Sequence, residues 1–117
     1  MVRLQNEKGN ISISKEVFSN LVGAAATNCF GVKGMAIRSM SDGLVHLLKR
    51  ESMGKGVYIT YNEDGSLSID LHIIIEQGVN ILALCSSIMS EVSYKVEIAT
   101  GAEVKDINIY IDSIIMD

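Results

Sequence analysis

Apolar and polar residues alternate strictly along much of Leu67–Glu76. Leu67, Ile69, Leu71, Ile73 and Ile75 share one side of an extended chain. Ser68, Asp70, His72, Ile74 and Glu76 share the other. Period two over this length predicts a half-buried strand with the odd-numbered positions on the core. The alternation returns in Val104–Ile115, where Ile107, Ile109 and Ile111 are interleaved with Asp106, Asn108, Tyr110 and Asp112. Between these strands, Ile81, Leu84, Cys85, Ile88, Val92, Val96 and Ala99 recur at helical spacing and predict a long amphipathic helix. Asn80 supplies a side-chain acceptor for its first turn, and Thr100-Gly101 supplies its stop. Gln77-Gly78-Val79-Asn80 is the turn that leads into it. A strand–helix–strand unit of this kind favours a right-handed parallel crossover within one sheet.

The remaining segments complete and cover that sheet. Residues 1–8 are polar and are expected to form a flexible N-terminal segment. Residues 9–14 alternate as a short strand. Ser14 is placed as an N-cap, with Glu16 in the first turn of a helix over residues 15–29, where a negative charge suits the helix dipole. Val17, Phe18, Leu21, Val22, Ala25 and Cys29 form its apolar stripe, and Gly31 is its expected left-handed stop. Residues 32–39 read as a strand in which Gly34 marks a bulge or a close backbone approach. Leu44, Val45, Leu47 and Leu48 suggest a short helix over residues 43–50, followed by a connector over residues 51–56. Val57–Tyr61 is a strand, and Asp64-Gly65 signals a hairpin turn into Leu67. The predicted order is β-α-β-(short α)-β-β-α-β. It specifies an α+β two-layer sandwich, a mixed sheet with two main helices on one face. Residues 9–117 form its single domain.

Composition narrows the function classes. The chain has 117 residues, 48% of them hydrophobic but only 5% aromatic, so the core is aliphatic. A chain of this length buries enough surface to fold without a metal or disulfide staple. The formal net charge of −4 argues against a nucleic-acid partner, which calls for a basic patch, although Lys49, Arg50 and Lys55 lie close together in sequence. The N-terminal stretch has no signal-peptide apolar region, and no run approaches the roughly 18 apolar residues of a membrane span. These features predict a cytoplasmic protein without direct membrane insertion. Cys29 and Cys85 are far apart and would be reduced there.

Chemistry-bearing residues are few. His46 and His72 belong to no HxH, HExxH or Cys/His pattern, and a zinc site needs three or four converging ligands. Asp70, His72 and Asp112 would converge only if their strands were neighbours, and an open sheet face supplies no pocket for acid–base or metal chemistry. Neither cysteine has the basic neighbours that lower a thiol pKa. Gly31-Val32-Lys33-Gly34 has the G-x-x-G form of a KH-domain phosphate clamp. A KH-like RNA-binding module is therefore the alternative reading, weakened by a following strand where KH needs a helix. No catalytic, cofactor or metal residues are assigned. The residues singled out as a candidate interaction face are Asp70, His72, Ile74, Asn108, Tyr110 and Asp112. Ile74, Met35, Met40 and Met53 are the apolar residues considered for exposure.

Several stretches together resemble the alkaline shock protein family of Gram-positive bacteria, also described as envelope stress response proteins. They are Gly9-Asn10-Ile11-Ser12-Ile13-Ser14, Phe30-Gly31-Val32-Lys33-Gly34-Met35, Lys55-Gly56-Val57, Ile69 to Glu76, Gly78-Val79-Asn80-Ile81 and Thr100-Gly101. Two positions depart from the family pattern: Leu82 stands where Pro is frequent, and His72 where Tyr is frequent. The resemblance implies a non-enzymatic cytoplasmic protein of cell-envelope homeostasis. It also implies self-association, and a membrane-anchored protein partner that holds the chain near the membrane. It carries over no catalytic residue and no cofactor.

Overall fold

A computed structural model describes residues 2–38, 45–47 and 56–116. The elements are β1 (Val2–Asn6), β2 (Gly9–Ile13), α1 (Lys15–Thr27), β3 (Val32–Arg38), β4 (Val45–Leu47), β5 (Val57–Tyr61), β6 (Leu67–Glu76), α2 (Ile81–Thr100) and β7 (Val104–Ile115). The α+β class, the mixed sheet and the two main helices agree with the sequence reading. Two elements do not. Val2–Asn6 is not a loose lead but a strand, paired antiparallel with β2 from Val2↔Ile13 to Asn6↔Gly9. A two-residue turn at Glu7-Lys8 closes that hairpin. Part of the expected short helix is instead β4, whose three residues pair with Ala36 to Arg38. The rest of that segment, with Met40, Lys49, Arg50, Met53 and Lys55, lies outside the described residues.

The sheet is built on β6. Along one edge β7 runs parallel to it for its whole length, from Leu67↔Val104 to Glu76↔Ile115. Along the other edge two antiparallel strands stand end to end. β5 pairs with Leu67 to Leu71, and β3 with Ile73 to Ile75. Gly56 occupies the junction between them. Its φ is +80°, its carbonyl accepts the His72 amide at 2.9 Å, and an added Cβ would collide with the Ala36 carbonyl. Only glycine takes this conformation and leaves this space at no steric cost. Gly34 lies at the expected irregularity, where the β3–β6 register shifts between Val32 and Gly34.

The odd-numbered residues of β6 from Leu67 to Ile75 are all buried, and both helices cover them. α1 brings Phe18, Val22, Ala25 and Ala26, while α2 brings Leu84, Ile88, Val92 and Val96. α1 lies over β3 and β5, α2 packs beside β7, and the helices contact each other. The apolar stripes fade at their ends: Val17, Ile81 and Ala99 are exposed. Asn80 caps α2 as its position suggests, its Oδ1 accepting the Ala83 amide at 3.0 Å, and Gly101 takes the left-handed C-terminal position at φ +77°. Ser14 holds the N-cap position of α1 without a side-chain bond. That helix ends at Thr27 rather than at Cys29, with Asn28 as its C-cap. Among the described residues, no helix is long and apolar enough to cross a membrane.

Candidate functional site

The sheet face opposite the helices is where the strands bring the polar residues together. Because β6 and β7 are parallel and in register, Asp70 stands beside Asn108 and His72 beside Tyr110. The alternation of each strand then turns both pairs outward. Asn108 Nδ2 donates to Asp70 Oδ1 at 3.0 Å. The Tyr110 ring stacks on the His72 imidazole, with centroids 4.8 Å apart and planes inclined by 13°. From β5, Tyr58 meets the same imidazole edge-on, at 5.5 Å and 87°. Three neighbouring strands thus contribute one ring each to a continuous row.

Asp112 completes the row through an irregularity in β7. The register passes from Ile73↔Ile111 to Ile74↔Ser113, so Asp112 is the extra residue. Its Oδ2 lies 2.9 Å from His72 Nδ1. An ionised carboxylate can only accept, so the shared proton sits on His72 Nδ1 and the bond fixes the orientation of the ring. The Asp112 side chain is only 11% exposed, so this bond satisfies a largely buried charge. Farther along β6, Glu76 is engaged by Lys33 at 3.0 Å.

Five of the six residues of the candidate face are therefore gathered by direct contacts. The sixth, Ile74, differs from the expectation of an exposed apolar anchor. It is 3% exposed, between Gly34 on β3 and Ser113 on β7, and it lies outside the main core cluster. Met35 is likewise buried. Tyr58, which the sequence reading passed over, belongs to the site. Its outward position in the alternation of Val57–Tyr61 was the available signal. Its neighbour in space, however, depends on the β5–β6 register, which places it opposite Asp70.

A second concavity lies on the helix side. A groove of about 840 Å³ forms where the end of α1, the β6–α2 turn and the start of α2 meet, lined among others by Cys29, Phe30, Val79, Leu84 and Glu91. Phe30 is 90% exposed. Burial pushes the Cys29 thiol up, and Glu91 adds to that shift. Burial also pushes the Cys85 thiol up. Both therefore stay protonated and weakly nucleophilic at neutral pH. Gly31 has φ +102°, and an added Cβ would stand 2.8 Å from Val79 Cγ1, so the glycine lets the α1–β3 connection approach the β6–α2 turn. The Gly31–Gly34 sequence thus serves backbone geometry and leads into β3, where a KH clamp would lead into a helix. Among the described residues, no group of His, Cys, Asp and Glu is placed to hold a metal ion.

Comparison with known proteins places this chain in a family. The model of the alkaline shock protein 23 family, described as having a cell envelope-related function, matches residues 3–116. The uncharacterized protein YloU of Bacillus subtilis is 32% identical over 114 residues, covering 97% of this chain and 94% of that protein. The uncharacterized protein Spy1614 of Streptococcus pyogenes serotype M6 is 32% identical over 114 residues, covering 97% and 93%. A second protein of that organism, Spy1535, is 28% identical over 109 residues, covering 93% and 81%. No solved structure matches at a significant level. The match spans both layers of the fold and the whole β6–α2–β7 unit, and the chain belongs to the alkaline shock protein family, whose function is cell envelope related.

Proposed function

We propose that this chain is a non-enzymatic cytoplasmic protein of the cell-envelope stress response that works by association, with copies of itself and with a membrane-anchored protein partner. The observation that carries this reading is the outward row of Tyr58, His72 and Tyr110. Tyr58 is 55% and Tyr110 47% exposed, on a sheet face that neither helix covers. Aromatic side chains offer large contact area with few rotamers to freeze, which is why they are enriched at interfaces. The bond from Asp112 holds the His72 ring of the row in place before any partner arrives, which lowers the ordering cost of binding.

The test is a photocrosslinking amino acid placed at position 110 in cells, with position 95 on the outside of α2 as the control. Protein crosslinks concentrated at position 110, with light scattering that rises above the monomer mass as concentration increases, are expected. A monomer at every concentration, with no crosslink from position 110, would sink the reading.

A further inference from the structure

The proposed docking face has a charge as well as a shape. Asp70, Asp106, Asn108, Tyr110 and Asp112 line its β6–β7 side, with Tyr58 across on β5. Asp106 pairs with Ser68 and is exposed, so its carboxylate belongs to the same outward set. Glu76 is matched by Lys33. Around the ring row the described residues include three carboxylates, of Asp70, Asp106 and Asp112, the last bonded to His72, against one exposed lysine of β7, Lys105, which is the extra residue of the register shift at Leu67/Ser68 and acts on Asp64. Carboxylates beside aromatic faces repel phosphate and attract guanidinium or ammonium groups, which also gain from lying over a ring.

The edge beside this row has a shape of its own. Among the described residues β7 pairs only with β6, leaving its other side without a strand over a length of 12 residues. An extended segment laid along such an edge forms main-chain hydrogen bonds, and its alternate side chains fall on one face of the sheet. For a segment beside β7, that face is the one carrying Asp106, Tyr110 and Asp112.

We infer that the partner segment received by this face is an extended basic one, with Arg or Lys at alternate positions set against Tyr110 and the exposed Asp106 carboxylate. This rests on the reading of the face as a docking surface and adds the chemistry of its occupant. Recognition is by charge and ring stacking together, so neither an acidic strand nor a nucleic acid fits it.

The experiment is fluorescence anisotropy of the full chain with three labelled probes. One is a peptide as long as β7 that alternates arginine and threonine. The second alternates glutamate and threonine, and the third is a single-stranded RNA oligonucleotide. Binding of the arginine peptide alone, weakening with added salt, is expected. Tyr110→Ala, which leaves the charge unchanged, should weaken it about fivefold, as loss of roughly 1 kcal/mol of cation–π contact requires. Tyr110→Phe should restore it, and Glu16→Gln on α1 should leave it unchanged. Circular dichroism of each variant verifies the fold. Equal binding of the arginine peptide to wild type and Tyr110→Ala would reduce the effect to net charge and overturn the inference, as would preferential binding of RNA. Crosslinks from position 110 in cells with no binding of the arginine peptide would overturn the basic-segment assignment and leave the docking face standing.

Discussion

The two faces of β6 are made by one ten-residue strand and have opposite chemistry. On the helix side, Leu67, Ile69, Leu71 and Ile73 are completely buried. On the other side, Ser68, Asp70, His72 and Glu76 remain partly accessible; Asp70 and His72 bond to β7, Glu76 to β3, and Ser68 to Asn62 in the turn after β5. The apolar face is held by area removed from water, which is nondirectional and large. The polar face is held by bonds that trade against water and are individually small. Substitutions on the first face should therefore change whether the chain folds, and substitutions on the second should change what it meets.

The largest effect expected is for Leu71→Ala. The side chain is fully buried beneath both helices, and its truncation should cost about 3 kcal/mol, read as a lower urea midpoint. A change under about 1 kcal/mol would mean that the helix layer contributes less than its burial implies. Gly56→Ala comes next. The backbone is left-handed at +80°, and the new methyl meets the Ala36 carbonyl. A loss of about 2 kcal/mol is expected, since neither term can relax without moving β3 or β5. An unchanged midpoint would show that the junction between these strands is loose.

Asp112→Asn tests the opposite face. The amide keeps a hydrogen-bonding oxygen for His72 but removes the charge, so a loss of about 1 kcal/mol or less is expected in the same unfolding assay. A loss as large as that of Leu71→Ala would erase the distinction between the faces. The smallest effect has the opposite sign. The Tyr61 hydroxyl is buried without a hydrogen-bond partner, while its ring packs edge-on to Phe18 and lies under the Lys15 ammonium. Burial also pushes the Tyr61 phenol pKa up. Tyr61→Phe keeps the ring and removes the unsatisfied group, so it should be neutral or stabilise by about 0.5 kcal/mol. Destabilisation would reveal a polar contact for that oxygen.

This contrast also separates what the residue pattern encodes from what it does not. The core face of β6, the Asn80 cap and the Gly101 stop were legible because each depends on neighbours within a few residues. β4 was not: its three residues are too short to show a period, and its pairing with Ala36 to Arg38 depends on a distant segment. β1 was hidden by the polar residues Gln5 and Asn6, although Val2 and Leu4 alternate and a two-residue turn follows. The polar face was half legible. Alternation put Asp70 and His72 on one side, but their contacts with Asn108, Tyr110 and Tyr58 required the strand order and register. Nothing local announced that Asp112 would be the extra residue of a shifted register, or that Ile74 would be buried.

The most direct test is to measure urea unfolding and association on one variant, Tyr110→Ala. If β6 divides folding from recognition between its faces, the unfolding free energy should stay within about 1 kcal/mol of wild type, because only a half-exposed ring and its stacking are lost. Its concentration-dependent rise in light-scattering mass should move to concentrations about fivefold higher. Unfolding as damaged as that of Leu71→Ala, or association as strong as wild type, would contradict the account.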